Sequence, residues 1–362
     1  MNPSLTWETS EQWDLGLDAT MFNNRLSLGF DYFNKRTYNL IQQQSVGWPS
    51  TIGLDAMLVN LGEVKNEGVE VQAAWNDQVN KDFSYYINGN FAWLKNRVTD
   101  TGTYDEKGNP GIWVGDVYGH NDFKNLTNLF QTTQGQALNS FHLIKTDGIF
   151  QSDEEAAAYV DKDGKRIQPN AKAGDLKFVD ANNDGKIDDK DRQYCGSSMP
   201  KTTYALTAGF NWKGLSVSAM FQGVSGAQAL FVGKHLTLSD TEGNFNRWNK
   251  ILDAWSPENR GSDIPRISKN DPNGNFTTSS DWYLEDASYL RLKNLTIGYD
   301  FTDFIQKWGH LNDRKSSLYV YFSAENVFTI TKYSGMDPEV GGFDTMKYPL
   351  SRVLSLGVKI TY

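Results

Sequence analysis

The sequence predicts an all-β fold: an antiparallel transmembrane β-barrel portion of about ten strands, with long extracellular loops. Three observations predict it. Segment after segment alternates apolar and polar residues with period two, the repeat of a half-buried strand. These segments run about 9–14 residues, longer than the 5–6 usual in soluble sheets. Only 39% of the chain is hydrophobic, yet 13% is aromatic and there are 32 glycines, which suits strands that bury one face and excludes general disorder.

The strand patterns lie near 11–22, 25–41, 65–76, 83–95, 138–147, 202–212, 215–224, 288–300, 317–329 and 350–362. In "RLSLGFDYF", Leu26, Leu28, Phe30 and Tyr32 share one face against Ser27, Gly29 and Asp31. In "VEVQAAWN" the apolar row is Val69, Val71, Ala73 and Trp75. "YALTAGFNWKGLSVSAMF" reads as a hairpin, with Lys213-Gly214 as a two-residue turn where glycine supplies a positive φ. In 288–300, Leu290 and Leu292 fall out of step with Leu295, Ile297 and Tyr299, so a bulge is expected near Asn294. The last strand carries Leu354, Leu356, Val358, Ile360 and Tyr362 on one face. Aromatics crowd the strand ends, as at Phe30, Tyr32, Phe210, Trp212 and Tyr299, in the manner of the interfacial girdles of outer-membrane barrels.

Connections alternate in length. Short ones fall at Asn23-Asn24, around Val79–Lys81 and at Lys213-Gly214, and long ones at roughly 42–64, 97–137, 151–200, 222–285 and 331–348. Barrels of this kind keep short turns on one side and long loops on the other. Within the fourth long loop, Trp248, Ile251, Leu252 and Trp255 stand at helical spacing and Pro257 ends the run, so a short loop helix is expected.

One stretch carries metal-ligand spacing. In "DANNDGKIDDKD", Asp180, Asn182, Asp184, Lys186 (by its carbonyl), Asp188 and Asp191 stand at positions 1, 3, 5, 7, 9 and 12 of a calcium loop, with Gly185 at the sharp turn. The closing residue is Asp rather than Glu, and "RQYCGSSMPK" does not continue as a helix. The expectation is a structural Ca2+ clip within residues 174–196, not a full EF-hand; the simpler reading is a solvated loop rich in Asx turns. Loop aromatics Trp48, Trp113, Tyr118, Trp282, Tyr283 and Tyr333 are candidate ligand contacts, since flat rings suit sugar faces and peptide side chains; girdle or loop-core packing is the plainer alternative.

Other chemistry is not supported. Cys195 is the sole cysteine, which excludes an internal disulfide framework. The four histidines show no pairing at metal-ligand spacing, and no nucleophile or phosphate-loop motif is present. A net charge of -9 gives no footprint for nucleic acid. No apolar run is long enough for a transmembrane helix, which leaves strands free to cross a bilayer. The start, "NPSLTWETSEQW", reads as lacking a signal peptide and as cut from something longer.

The order of motifs resembles a known family. "NPSLTWETSEQWDLGLDATMFNNRLSLGFDYFNKRTYNLI", "FHLIKTDGIFQSDEEA", "AGDLKFVDANNDGKIDDKDRQYCG", "AWSPENRGSDIPR", "YLRLKNLTIGYD", "TKYSGMDPEV" and "YPLSRVLSLGVKITY" look like the C-terminal part of SusC/RagA-type TonB-dependent outer-membrane transporters of the Bacteroidota, across essentially all 362 residues. The resemblance implies a barrel normally of 22 strands, a plug domain and an energy-coupling box. It further implies a SusD-like surface lipoprotein over the mouth, the TonB complex as energy source, and import of large glycans or peptides. The plug, the coupling box and the first half of the barrel are absent from this sequence. The expected function is thus a C-terminal barrel fragment of a nutrient importer in the cell outer membrane, in contact with its lipid and not an enzyme. The alternative is a soluble all-β carbohydrate- or peptide-binding module with a structural calcium loop.

Overall fold

A computed structural model describes residues 4–44, 57–102, 112–114, 129–239, 246–308 and 317–361. Its frame is a nine-stranded sheet, which we call the wall. In chain order its strands are β1 (Thr9–Met21), β2 (Leu26–Tyr38), β3 (Glu63–Asn80), β4 (Phe83–Asp100), β5 (Thr202–Trp212), β6 (Leu215–Ser225), β7 (Tyr289–Asp300), β8 (Ser317–Thr331) and β9 (Val353–Thr361). Every strand pairs antiparallel with its sequence neighbour, so the wall is a simple meander.

Local chemistry fixes the turns. Lys213 and Gly214 both take positive φ, 46° and 86°, and Trp212 pairs with Leu215. That is the primed geometry whose twist matches the flanking strands. Phe22, Asn23 and Asn24 are left-handed in the turn before β2. The expected bulge is present: the β7–β8 register shifts between Leu292 and Asn294, and Asn326 on β8 has φ 50° close by.

Register sorts the side chains into two faces. The series Leu17–Phe30–Val71–Phe91–Tyr204 and Leu15–Tyr32–Val69–Trp93 run straight across neighbouring strands. On the far side Ala219–Leu295–Ala324–Leu354 and Val217–Ile297–Phe322–Leu356 continue the same apolar face. This face is open to the surroundings: Leu17 is 68% exposed and Leu356 77%. Aromatic rows bound it, with Trp13, Tyr32, Trp93 and Tyr204 towards one end and Trp75, Tyr85, Phe210, Trp212 and Tyr299 towards the other. Between the Tyr85 and Trp93 rows the strand runs about 26 Å, at about 3.3 Å per residue.

The opposite face is polar, with tyrosines laid over glycines. A Cβ at Gly209 would stand 2.6 Å from the Tyr86 ring, and Gly298 and Gly357 are covered just as closely by Tyr319 and Tyr321. Tyr86 donates to Ser218 Oγ at 2.8 Å, and the Ser216 and Tyr319 hydroxyls are 2.6 Å apart. Glycine is the residue that lets a ring lie flat on a neighbouring strand.

The connections 39–62, 101–201, 226–288 and 332–352 all leave from the same end of the wall, as its up-and-down order requires. Three of them fold together into a loop assembly with its own cores. One core joins Phe130, Phe141, Leu143, Leu230, Val232 and Tyr283. A three-stranded sheet combines Gln228–Phe231, Leu284–Asp286 and, in parallel, Phe343–Asp344, drawing on two different connections.

Three expectations are corrected. The 138–147 segment is not a wall strand: Ser140–Ile144 belongs to a four-stranded loop sheet and pairs with Arg192–Gly196. Its residues are buried on both sides, so its run of apolar residues reflects enclosure, not a lipid-facing strand. The loops foreseen at 97–137 and 151–200 are therefore one connection. The expected helix around Trp248–Trp255 shrinks to a 3-10 turn at Asn249–Asp253 with no side-chain cap, and Leu252 is 84% exposed.

Candidate functional site

The candidate site is the mouth: the polar face of the wall and the loop assembly standing over its end. Buried polar clamps hold the loops in place. Asp175, wholly buried, accepts two hydrogen bonds from Arg266, at 2.8 and 2.9 Å, plus one each from Asn275 Nδ2 and Lys172 N–H. A buried carboxylate with every lone pair occupied is stable where a half-paired one is costly. Gln168 bridges the same two connections, donating to Leu176 O and Asn273 Oδ1 and accepting from Phe178 N–H.

A second clamp ties the last connection to the wall. Arg291 on β7 donates to Asp337 at 2.7 Å, Glu339 at 2.7 Å and Thr329 at 2.8 Å. Burial pulls the Asp337 carboxyl up, but main-chain donors and Arg291 outweigh it and hold it below the usual range. Glu285 shows the same balance: burial raises it, and Lys234 at 2.8 Å with Ser334 lowers it further. Tyr333 donates to buried Asp344 at 2.7 Å, and burial with that carboxylate pushes its phenol far up.

The candidate aromatics fall in different places. Tyr283 and Tyr333 are buried, 1% and 5% exposed, inside the loop cores. Trp282 is partly buried, packs edge-on to Phe276 and Tyr283, carries Lys234 Nζ 4.8 Å from its ring, and donates to Asp263 O. These three hold loops together. Trp48 and Tyr118 lie outside the described residues; Trp113 lies in the short strand Ile112–Val114, and its side chain is outside them too.

The calcium-loop stretch closes through its own hydrogen bonds. Asp180 accepts from the Asp184 and Gly185 amides, and Asn182 Oδ1 from Asp184. Gly185 takes φ 82°, as the sharp turn requires. Asp191 is wholly buried and accepts from Ala181, Asn182 and Asp188 N–H, while Lys186 Nζ sits 2.7 Å from Asp188. Asp180, Asn182 and Asp184 keep lone pairs for an ion, whereas Asp191 is turned to the backbone. Among the described residues no three His, Cys, Asp or Glu side chains converge as a metal set. After Asp191 the chain enters the strand Arg192–Gly196, not the second helix of an EF-hand.

Two titratable groups of the loop sheet are moved by burial. His142 is held down to about 4, by desolvation first and by Arg192 second. The Cys195 thiol is pushed up to about 11, chiefly by burial. No sequence pattern announces the clamps at Asp175 and Arg291. Arg291 lies between Leu290 and Leu292 and its acidic partners lie in "MDPEV", but a partner 46 residues away has no spacing rule.

The fold and mouth define a class: the wall of an outer-membrane β-barrel with an elaborated loop end. The chain belongs to the TonB-dependent receptors of the SusC/RagA type: the family profile "TonB dependent receptor-like, beta-barrel" matches residues 1–327. It is 29% identical over its full length to TonB-dependent receptor P3 of Formosa agariphila, covering 35% of that protein. It is 27% identical to TonB-dependent receptor SusC of Bacteroides thetaiotaomicron, again over the whole chain and over 32% of that protein. A solved structure of the RagAB peptide transporter superposes on the entire chain with TM-score 0.74 at 25% identity, covering 36% of its own chain. The chain thus spans about a third of the length of the relatives it matches. The family is a transport class, not a catalytic one.

Proposed function

We propose that this chain forms part of the barrel wall and the extracellular mouth of an outer-membrane importer of large nutrients, glycan oligosaccharides or peptides. The observation that carries the reading is the open apolar face. It spans nine strands, is bounded by two aromatic rows, and backs onto a polar face. A band of roughly 25 Å between aromatic girdles is what a bilayer covers in such barrels. As a soluble module the same face would leave large side chains such as Leu354 and Leu356 in water, at about 25 cal/mol per Å². In this reading the wall closes into a barrel with further strands of the family's 22. A SusD-like lipoprotein covers the loop assembly, and the TonB complex acts through the plug and coupling box that the resemblance implies.

A structural calcium ion at Asp180–Asp191 belongs to the same reading. Its support is the ligand spacing and the left-handed Gly185. Its role is to hold the shape of the loop over the mouth.

The test is fractionation followed by uptake. The protein is expected in the outer membrane with heat-modifiable migration, and its loss should slow growth on large oligosaccharides or peptides but not on their monomers. A monodisperse, detergent-free monomer in the soluble fraction would sink the reading. For the ion, proteolysis of the 174–196 segment is compared with calcium and with chelator; equal rates reject it.

A further inference from the structure

We infer that the cavity above the end of β5 is a binding site for the phosphate of an outer-leaflet lipid headgroup. This rests on the membrane reading above.

The cavity exists because two neighbouring strands differ in height. β5 begins at Thr202, while β4 rises past it to Asp100. Leu94 N–H donates to Lys201 O, and the next bond up that edge is Val98 N–H to Gln136 O. Between those bonds the edge of β4 borders a cavity of about 1180 Å³.

Its charge and height suit a lipid phosphate. Lys95, Arg97, Lys145 and Lys201 line it, against the two carboxylates Asp281 and Asp286. Both carboxylates are already engaged: Asp281 accepts from Thr146 N–H and Oγ1, and Asp286 from Ser288 N–H. Lys95 shares Glu67 at 3.4 Å. Among the described residues, no ion pair within 4 Å involves Arg97, Lys145 or Lys201, and Lys145 lends part of its charge to the nearby Asp281.

Position selects the lipid over a soluble anion. By strand alternation Lys95 and Arg97 share the apolar face with Trp93, which also lines the cavity. Lys65 stands directly across from Arg97 on the same face, paired with Glu67 at 3.2 Å. The cations therefore begin one step above the aromatic row at the loop end, where headgroup phosphates lie and basic side chains gain most from them.

The test uses the full chain in detergent micelles, with bisphosphorylated lipid A, its dephosphorylated form and inorganic phosphate as probes. Binding of the bisphosphorylated lipid should weaken about fivefold per cation removed, so about a hundredfold in an Arg97→Gln/Lys145→Gln/Lys201→Gln variant. Binding of the dephosphorylated lipid should not respond to the variant. Arg97→Gln alone guards against a misfolded triple and should lose about fivefold. Equal binding by wild type and both variants overturns the site. Displacement of the lipid by an equal concentration of inorganic phosphate also overturns it, in favour of a soluble anion. Membrane fractionation of the wild type is read first. If the chain is recovered only as a detergent-free soluble monomer, the membrane reading falls and takes the lipid site with it; if it is recovered in the outer membrane with equal binding, only the lipid site falls.

Discussion

The wall and the loop assembly are built on opposite solvents. In the wall, Leu17, Leu354, Leu356 and Ile360 face outward and are more than 60% exposed. In the loop assembly, Phe141, Leu143 and Phe150 are wholly buried. The wall is held by ladder hydrogen bonds and by tyrosines laid on glycines, and needs lipid to cover its apolar side. The loops are held as a water-soluble domain is, by apolar cores and satisfied buried charges. One chain therefore contains two stability problems, and a substitution should report on only one of them.

The largest effect is expected at the buried clamp. Asp175→Ala leaves Arg266, Asn275 and a main-chain donor without their acceptor, and should destabilise the loop assembly by about 3–5 kcal/mol. Protease sensitivity of the loops should rise while heat-modifiable migration of the wall stays. Loss of the migration as well would show that the two regions are one cooperative unit. Phe141→Ala should cost about 3–4 kcal/mol in the loops. Leu356→Ala on the wall, compared by denaturant titration in the same detergent, should cost under about half as much, because it leaves no enclosed cavity. Equal costs would break the contrast.

A smaller effect is expected in the wall. Gly298→Ala drives a methyl into the Tyr319 ring and should cost about 1–3 kcal/mol. The loss should appear in unfolding of the wall, with loop proteolysis unchanged. The smallest effects are titrations. His142 is held down to about 4 from an ordinary 6.5, so an unfolded loop takes up a proton that the folded loop refuses. Loop stability should be fully present above about 6.5 and fall as pH drops from there towards 4, and His142→Gln should flatten that slope. Cys195 is raised to about 11, so its alkylation should stay slow at pH 9 and accelerate only as pH nears 11.

Legibility divides along the same boundary. Wall strands obey a period of two that a sequence displays directly, and Lys213-Gly214 announces its turn by residue type alone. Even the parity slip at Leu290–Leu295 was readable. The loops obey no period. Ser140–Ile144 resembles a wall strand because enclosure by other loops makes every residue apolar, and the Trp248–Trp255 spacing resembles a helix because three of its four residues face a core from a looser turn. Asp175, Arg266, Arg291 and Asp337 act only as partners across long stretches of chain, so nothing local marks them. The aromatics invited a ligand reading, yet Tyr283 and Tyr333 serve the cores, since large rings are what a thin loop domain needs to bury area.

The parallel pairing of Phe343–Asp344 with Leu230–Phe231 carries a temporal consequence. The three-stranded sheet over the mouth draws its third strand from beyond β8. It cannot be completed until the chain has been made past β8. Tyr333, Asp344 and the Arg291 clamp wait on the same event. The mouth is therefore sealed by contacts of high sequence separation, which close slowly.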